Sequence, residues 1–350
     1  MIAPRRPPLP LYFRLIAQLR RTMLDRLSPG APLPSERELC ERFQVSRITV
    51  RRALDELVAQ GEICKRHGKG AFKTRSESSR VRELVYVVYR TAMLATPGRE
   101  RAIRALAETA ERRGYHLVIK SFHAFAGDDN FCDFACRNLH GGLLLSVQEL
   151  SETLIRRLQR QKVPCVFLNH AADYAVRADF RQAGALAAAW VVRRQFQNIL
   201  LLLPPADLPD TEAFQAGFAD ALPAKVNCAV RHTEYDRAMA AATLRSMLRE
   251  TTLPDAVVAG DDLLAAGALD ALRAFPGAKP IPVSGVNDSY LAAELNFSSI
   301  DLRTAECAAQ AAELLADLIE GNTPPPPAQY VFAPRWHERL STSSPQGVSE

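Results

Sequence analysis

Arg47, Thr49, Arg51 and Arg52 crowd the start of one segment, Val45-Ser46-Arg47-Ile48-Thr49-Val50-Arg51-Arg52-Ala53-Leu54. A guanidinium is a rigid fork of N–H donors that bonds guanine or phosphate bidentately, so this spacing points to a surface that meets nucleic acid. A second cluster follows, in which Lys65, Arg66, His67 and Lys69 flank Gly68 and Gly70. The glycines let the backbone approach a phosphate or a groove floor, with cationic donors beside it. A basic hairpin is equally an ordinary solvated turn, so its meaning depends on the elements that hold it.

Those elements are marked locally. Ser35 and Glu38 form a Ser-x-x-Glu box, and Leu39 and Phe43 supply the apolar stripe of a short helix over residues 35–43. Gln44 and Val45 make a turn. Ser46 then caps a second helix, on which Val50, Ala53, Leu54, Leu57 and Val58 recur at three- and four-residue steps. With that face packed inward, Arg47, Thr49, Arg51 and Arg52 stand near the exposed first turns, the end that a recognition helix presents to base edges. Gly61 stops the helix, and residues 62–72 read as two short strands around a glycine-bearing turn, a basic wing. Upstream, Leu11, Leu15, Ile16, Leu19, Met23 and Leu27 keep a helical period until Ser28-Pro29-Gly30-Ala31-Pro32.

On these residues the stretch 9–73 resembles the winged-helix domain of GntR-type transcriptional regulators. The matching pieces are Pro10-Leu11-Tyr12, Pro29-Gly30, Leu33-Pro34-Ser35-Glu36-Arg37-Glu38-Leu39, Val45-Ser46-Arg47-x-Thr49-Val50-Arg51-x-Ala53-Leu54 and Gly68-x-Gly70-x-Phe72. The resemblance implies DNA contact by Arg37 on phosphate, by Ser46, Arg47, Thr49 and Arg51 of the recognition helix, and by His67, Gly68 and Lys69 of the wing. Ala71 and Lys73 depart from the usual Thr and Val. Charge agrees: residues 1–75 hold 16 Lys and Arg against 7 Asp and Glu, a net of +9, while the remaining 275 residues sum to −4. Such a domain loses affinity steeply with salt, because neutralised phosphates release counterions.

At 350 residues, 47% of them hydrophobic, the chain has room for more than one core. No apolar run approaches the ~20 residues that span a bilayer and no signal-peptide core follows Arg5 and Arg6, so the expected location is cytoplasmic, with no membrane partner. Seven scattered cysteines read as reduced, buried or half-buried thiols rather than a disulfide framework. Cys132 and Cys136 stand one helical turn apart, but nothing nearby completes a metal site. The histidines are dispersed without a His-x-x-x-His spacing, and no metal or cofactor is expected.

After a polar linker at residues 76–82, strands and helices alternate. Strands are expected at 84–89, 115–122, 142–146 and 165–168, with helices at 99–113, 131–139 and 152–161. The rhythm restarts after Asp179 with helices at 183–194, 211–221, 237–249 and 263–274 and strands at 199–203, near Val230, at 256–259 and at 282–286. A helix over 304–320 returns to the first lobe, and Pro324–Pro327 leads to a last extended segment. This pattern predicts an α/β architecture of doubly wound parallel sheets in two lobes, with a ligand cleft at the C-terminal strand edges. The expected organisation is a DNA-binding domain at 1–75, a two-lobed domain at 83–342 and a flexible tail at 343–350.

This second region resembles the effector domain of the lactose- and galactose-repressor family, itself similar to periplasmic sugar-binding proteins. The matches run in family order: Gly141-Gly142-Leu143-Leu144-Leu145, Val163-Pro164-Cys165-Val166, Gly217-Phe218 with Ala221-Leu222, Asp255-Ala256-Val257 leading to Asp262 and Gly267-Ala268-Leu269, Val283-Ser284-Gly285-Val286-Asn287-Asp288, and the tail from Pro334 to Thr342. In that family an arginine three residues before the Gly-Phe pair and an aspartate at the position of Asn287 clamp the sugar. Here Phe214 and Asn287 stand there, so both clamp charges are missing and an ordinary family sugar is not the expected ligand. By position, Tyr89, Asn169, Asp179, Phe214, Asp261 and Asn287 are the candidate effector contacts. Tyr89 and Phe214 also suit a core, and Asp179 also suits a helix cap.

The resemblances imply a sequence-specific regulator, a repressor that dimerises through its α/β domain and binds a double-stranded operator, with a small molecule between the lobes setting its state. The alternative keeps DNA binding but makes the α/β domain a dimerisation or partner-binding scaffold without effector. An enzyme is not expected. There is no nucleophile elbow or phosphate loop, and among Lys120, Lys162, Lys225 and Lys279 no plausible Schiff-base lysine.

Overall fold

Ser35 starts the helix Glu36–Phe43 by the reciprocal bonding that its spacing to Glu38 predicts. In the computed structural model its hydroxyl accepts a hydrogen bond from the Glu38 N–H at 3.3 Å, and the Glu38 carboxylate accepts from the Ser35 N–H at 2.7 Å. These bonds hold the Glu38 carboxyl below its ordinary pKa. The structure describes residues 11–24, 27–28, 30–59, 62–66, 70–74, 82–89, 96–137, 141–147, 150–250, 253–274 and 280–339. The chain divides into two units, Met1–Arg82 and Glu83–Glu350.

The first unit comprises α1 (Leu11–Thr22), α2 (Glu36–Phe43), α3 (Arg47–Ala59) and an antiparallel hairpin of β1 (Ile63–Arg66) and β2 (Gly70–Lys73). α1 ends at Thr22 rather than running to Leu27, although the Leu27 N–H still donates to the Met23 carbonyl at 3.1 Å. Leu15, Leu19, Leu39, Val50, Ala53, Leu57 and Ile63 form its core. Val58, expected on the buried stripe of α3, is exposed. Glu62 is buried against Arg20, whose Nη2 and Nε donate to Glu62 Oε1 at 2.6 and 2.9 Å, which ties α1 to the hairpin. Both departures from the GntR-type wing pattern have structural roles: Ala71 is buried, and Lys73 Nζ donates to the Leu24 and Leu27 carbonyls, each at 2.7 Å, at the chain's exit from α1.

The second unit begins with β3 (Glu83–Val88), α4 (Arg99–Arg112), β4 (His116–Ser121), α5 (Asp128–Arg137), β5 (Gly141–Ser146), α6 (Glu152–Arg160), β6 (Cys165–Leu168) and β7 (Tyr174–Ala178). It continues through α7 (Phe180–Arg193), β8 (Asn198–Leu203), α8 (Pro209–Ala221), β9 (Asn227–His232), α9 (Arg237–Glu250), β10 (Ala256–Ala259) and α10 (Asp262–Arg273). β11 (Val283–Val286), α11 (Tyr290–Glu294), β12 (Ser298–Asp301), α12 (Thr304–Glu320), β13 (Ala328–Phe332) and β14 (Arg335–His337) complete it.

Two six-stranded sheets result, ordered β13-β7-β6-β5-β3-β4 and β14-β12-β11-β10-β8-β9. Every pairing is parallel except β12 with β14. Parallel strands need helical crossovers, and the helices cover both faces of each sheet, so runs such as Leu84–Val88 and Leu200–Leu203 are buried without alternation. α12 returns to the first lobe, where Ala308, Ala311, Leu315 and Ala316 join the core of Leu84, Tyr86 and Leu144. β7, α11 and β12 are absent from the sequence reading, and the one extended segment expected after Pro327 is two strands, β13 and β14, in different sheets; the rest of the strand and helix order agrees with it.

The Gly217-Phe218 motif has a packing cause. α7 and α8 pack against each other, with Phe214 and Phe218 in the core beside Ala187 and Trp190. A Cβ on Gly217 would stand 1.9 Å from the Arg181 carbonyl oxygen of α7, and one on Gly184 would stand 2.0 Å from the Phe214 carbonyl oxygen of α8. Gly217→Ala therefore forces two helices apart. The expected loss is about 1–3 kcal/mol, read as a lower urea midpoint for the second unit with α3 and the hairpin undisturbed.

Candidate functional site

Two regions gather the side chains with chemistry. On the first, the Ser46 hydroxyl accepts from the Thr49 N–H at 3.3 Å and lies 2.9 Å from Thr49 Oγ1, which starts α3 and orders its first turn. Arg47 and Arg51 are exposed on that helix, as is Arg37 on α2. Carboxylates hold two of these cations: Arg37 Nε lies 3.1 Å from Glu41, and Arg51 Nε lies 2.9 Å from Glu36. Arg52 turns away and stacks its guanidinium 4.3 Å above the Tyr12 ring. In the hairpin, Lys65 pairs with Asp55 at 2.5 Å and Arg66 lies 4.8 Å above the Phe72 ring. His67, Gly68 and Lys69 lie outside the described residues.

The second region is a cavity of about 370 Å³ between the lobes. It lies at the C-terminal ends of strands from both sheets, reached by Tyr86, Ser146 and Leu168 on one side and by Gly260, Val286 and Leu302 on the other. Four of the six candidate effector residues line it: Tyr89, Asn169, Asp261 and Asn287. Two do not. Asp179 caps α7, its Oδ1 accepting from the Gln182 N–H at 2.8 Å, and Phe214 is only 3% exposed in the core between α7 and α8. A cap position and helix packing hold both away from the cavity wall.

The cavity carries polar groups that the sequence reading missed: charged Arg99 and Asp210 and the neutral phenol of Tyr235 also line it. Arg99 Nη1 reaches the Tyr86 hydroxyl at 3.4 Å. A sequence signal was available, because an arginine in the first turn of a helix opposes the helix dipole, and α4 has both Arg99 and Arg101 there. Arg101 spans the lobes, donating from Nη2 to the Asn287 carbonyl at 2.6 Å and lying 3.7 Å from Asp301 and 3.9 Å from Asp288. Asn287 adopts a positive φ of 97° and donates from Nδ2 to Asp261 Oδ2 at 2.7 Å. Asn169, also at positive φ, accepts on Oδ1 from the Ala178 N–H at 3.0 Å.

Asp261 and Asp262 are adjacent buried carboxylates. Asp261 Oδ1 caps α10 by accepting from the Leu263 N–H at 2.7 Å. Burial, then the neighbouring Asp262 charge, pushes its pKa up to about 7. Asp262 accepts from the Ser289 N–H and the Ser299 hydroxyl, each at 2.6 Å, and burial raises it to about 6. The Gly285 of the Ser-Gly-Val-Asn-Asp motif exists for this carboxylate, since a Cβ there would stand 2.2 Å from Asp262 Oδ1.

The thiols are otherwise unremarkable. Cys136 is exposed, contrary to the expected burial, with its Sγ 3.8 Å from that of buried Cys132. Among the described residues no group of three or more His, Cys, Asp or Glu could hold a metal ion, and no helix is long and apolar enough to cross a membrane.

Comparison with known proteins matches these two regions. Residues 11–72 match the gntR family of bacterial regulatory proteins, and residues 175–342 match the periplasmic binding protein-like domain. The chain joins a GntR-type DNA-binding domain to a periplasmic-binding-protein-like domain. The HTH-type transcriptional repressor NagR of Bacillus subtilis (strain 168) is 40% identical over 72 residues, which span 20% of this chain and 30% of that protein. The chain thus spans under a third of NagR. The arabinose metabolism transcriptional repressor of Geobacillus stearothermophilus is 24% identical over 359 aligned positions, 95% of this chain and 98% of that one. Among solved structures, the transcriptional regulator CelR–cellobiose complex has a TM-score of 0.66 at 23% identity, covering 85% of this chain and 92% of CelR. The Cra dual regulator of Pseudomonas putida, in complex with fructose 1-phosphate, has a TM-score of 0.64 at 23% identity over 74% of this chain and 99% of Cra. These likenesses establish the two-lobed fold.

Two outcomes follow from the charged groups. Glu36→Gln frees Arg51 and removes a negative charge from the first turn of α2, so affinity for duplex DNA rises a few-fold at low salt and the gain shrinks as salt rises, measured by fluorescence anisotropy. Asp261 keeps its proton in the folded protein up to about pH 7, whereas an unfolded aspartate loses it near its ordinary value. Folded protein therefore holds more protons in that window, and this group's contribution to stability falls as pH rises from about 4 to 7. Asp261→Asn, which keeps a capping oxygen, flattens that part of the melting temperature against pH profile.

Proposed function

We propose that this chain is a transcriptional repressor that reads a double-stranded operator through α3 and the basic hairpin. Its hold on DNA is set by a small metabolite, sugar-like or related, bound between the lobes. The observation that carries the reading is the presence in one chain of an exposed arginine face on a capped helix and of a mainly apolar cavity with a few polar groups at two sets of strand ends. Arg47 and Arg51 take base edges, Thr49 and the Ser46 turn take phosphate or base, and Arg37 anchors the backbone, with His67, Gly68 and Lys69 at the wing. On binding, a DNA phosphate displaces Glu41 from Arg37, and a base edge displaces Glu36 from Arg51. Two copies of the chain pair and present two such helices to a two-fold-related site in the cytoplasm.

In the cavity, Arg99, Asn169, Asp261 and Asn287 are the polar contacts for the ligand, and Tyr89 is an aromatic wall. Ligand that touches both lobes favours the closed arrangement, which Arg101 already bridges, and so changes the spacing of the DNA-binding domains. The absence of the family's clamp charges at Phe214 and Asn287 favours a second reading, in which the α/β domain is a ligand-free dimerisation scaffold. A thermal-shift screen with sugars, sugar phosphates, sugar acids, polyols and nucleosides separates the two. A saturable rise in melting temperature supports the effector, and none across the screen supports the scaffold.

DNA reading is tested directly with a site selected from a random duplex library. Arg47→Ala with Arg51→Ala lowers affinity for the selected site by at least about tenfold per lost bidentate contact while far-UV circular dichroism is unchanged. Unaltered affinity in the folded double variant refutes the assignment.

A further inference from the structure

Ile48 is 80% exposed, the most exposed large apolar side chain among the described residues. It lies on α3, where Val50, Ala53, Leu54 and Leu57 are at most 2% exposed and Val58, at 37%, is far less exposed than Ile48. Residues three and four apart share a helix face, so Ile48 lies in line with Arg51 and Arg52 and directly beside Arg47. Arg51 is exposed at 64% of its side chain, so the apolar group stands on the cationic face. Its neighbours Arg47 and Thr49 are the polar groups of the same first turn.

We propose that Ile48 is a specificity-determining residue that packs on the 5-methyl group of a thymine in the major groove. This rests on the reading of α3 as the recognition helix. The thymine methyl is the apolar feature that base pairs offer along that groove, and the surrounding arginines place the helix against phosphates and base edges. Isoleucine suits the task, because a β-branched side chain in a helix holds essentially one χ1 rotamer and loses little freedom on contact. The match is also discriminating: cytosine has only a hydrogen at C5, where thymine has its methyl, and an amino donor where thymine has O4, so Ile48 loses its apolar partner and crowds a polar group instead.

The test uses full-length protein and a duplex selected from a random library, with each thymine replaced in turn by deoxyuridine, which removes the methyl and nothing else. For the unaltered protein, one replacement in each half-site of the selected site weakens binding about fourfold, the value of one buried methyl-sized group, and other positions change affinity less than twofold. In Ile48→Ala the same replacement has no effect, and Ile48→Val retains part of it. The proposal is overturned if no thymine-to-deoxyuridine change weakens the unaltered protein, if the loss persists undiminished in Ile48→Ala, or if the selected site holds no thymine. Those results leave the DNA-reading assignment standing as long as the selected site still outcompetes scrambled duplex. No preference for any sequence overturns both.

Discussion

The second unit depends on keeping three chain crossings side by side. The chain passes between the two sheets after β7, after β12 and after β13. Phe332 joins these passages: its carbonyl accepts from the Asp179 N–H at 3.1 Å, and its ring lies 5.0 Å beneath the Arg303 guanidinium. Arg303 holds a left-handed φ of 56° and donates from its backbone N–H to Asp301 at 2.9 Å. Each sheet keeps its ladder within its own lobe, so a rotation about these crossings leaves both ladders intact while it changes the cavity and the Arg101 contacts. The same arrangement sets the ligand site, because the parallel strands of both lobes end facing that gap.

Charged groups in the two functional regions are held in opposite ways. On α2 and α3, Arg37 and Arg51 rest in surface ion pairs with Glu41 and Glu36, which stabilise little and exchange readily for other partners. Around the cavity the carboxylates are enclosed. Asp262 has its two oxygens occupied by the Ser289 N–H and the Ser299 hydroxyl, and Asp261 is shared between the start of α10 and Asn287. Groups so enclosed fix loops in place, and the rigid loops in turn define the wall. Asp288 extends this network to the C-terminal strand, with Arg339 at 2.6 Å and His337 at 2.7 Å.

Sequence by itself determined the order of helices and hairpin in the first unit and the caps that start α2 and α3. The Ser35 box, the Ser46 cap and the period of the stripe from Val50 to Leu57 are local signals, and the cap hydrogen bonds span only three residues. Most of the strand and helix order in the second unit was legible as well, because strands buried on both faces read as continuous apolar runs. Tertiary structure decided what depends on distant partners. β12 carries Ser298 and Ser299, which no hydropathy pattern marks as buried; they are enclosed because Arg339 and Asp262, far away in sequence, satisfy their hydroxyls. It also decided which side chains face the cavity. Phe214 and Asp179 had the right positions by resemblance and the wrong directions, while Arg99 reaches the cavity because α4 begins at its edge. Direction depends on how whole lobes meet, and that information is spread over residues separated by most of the chain.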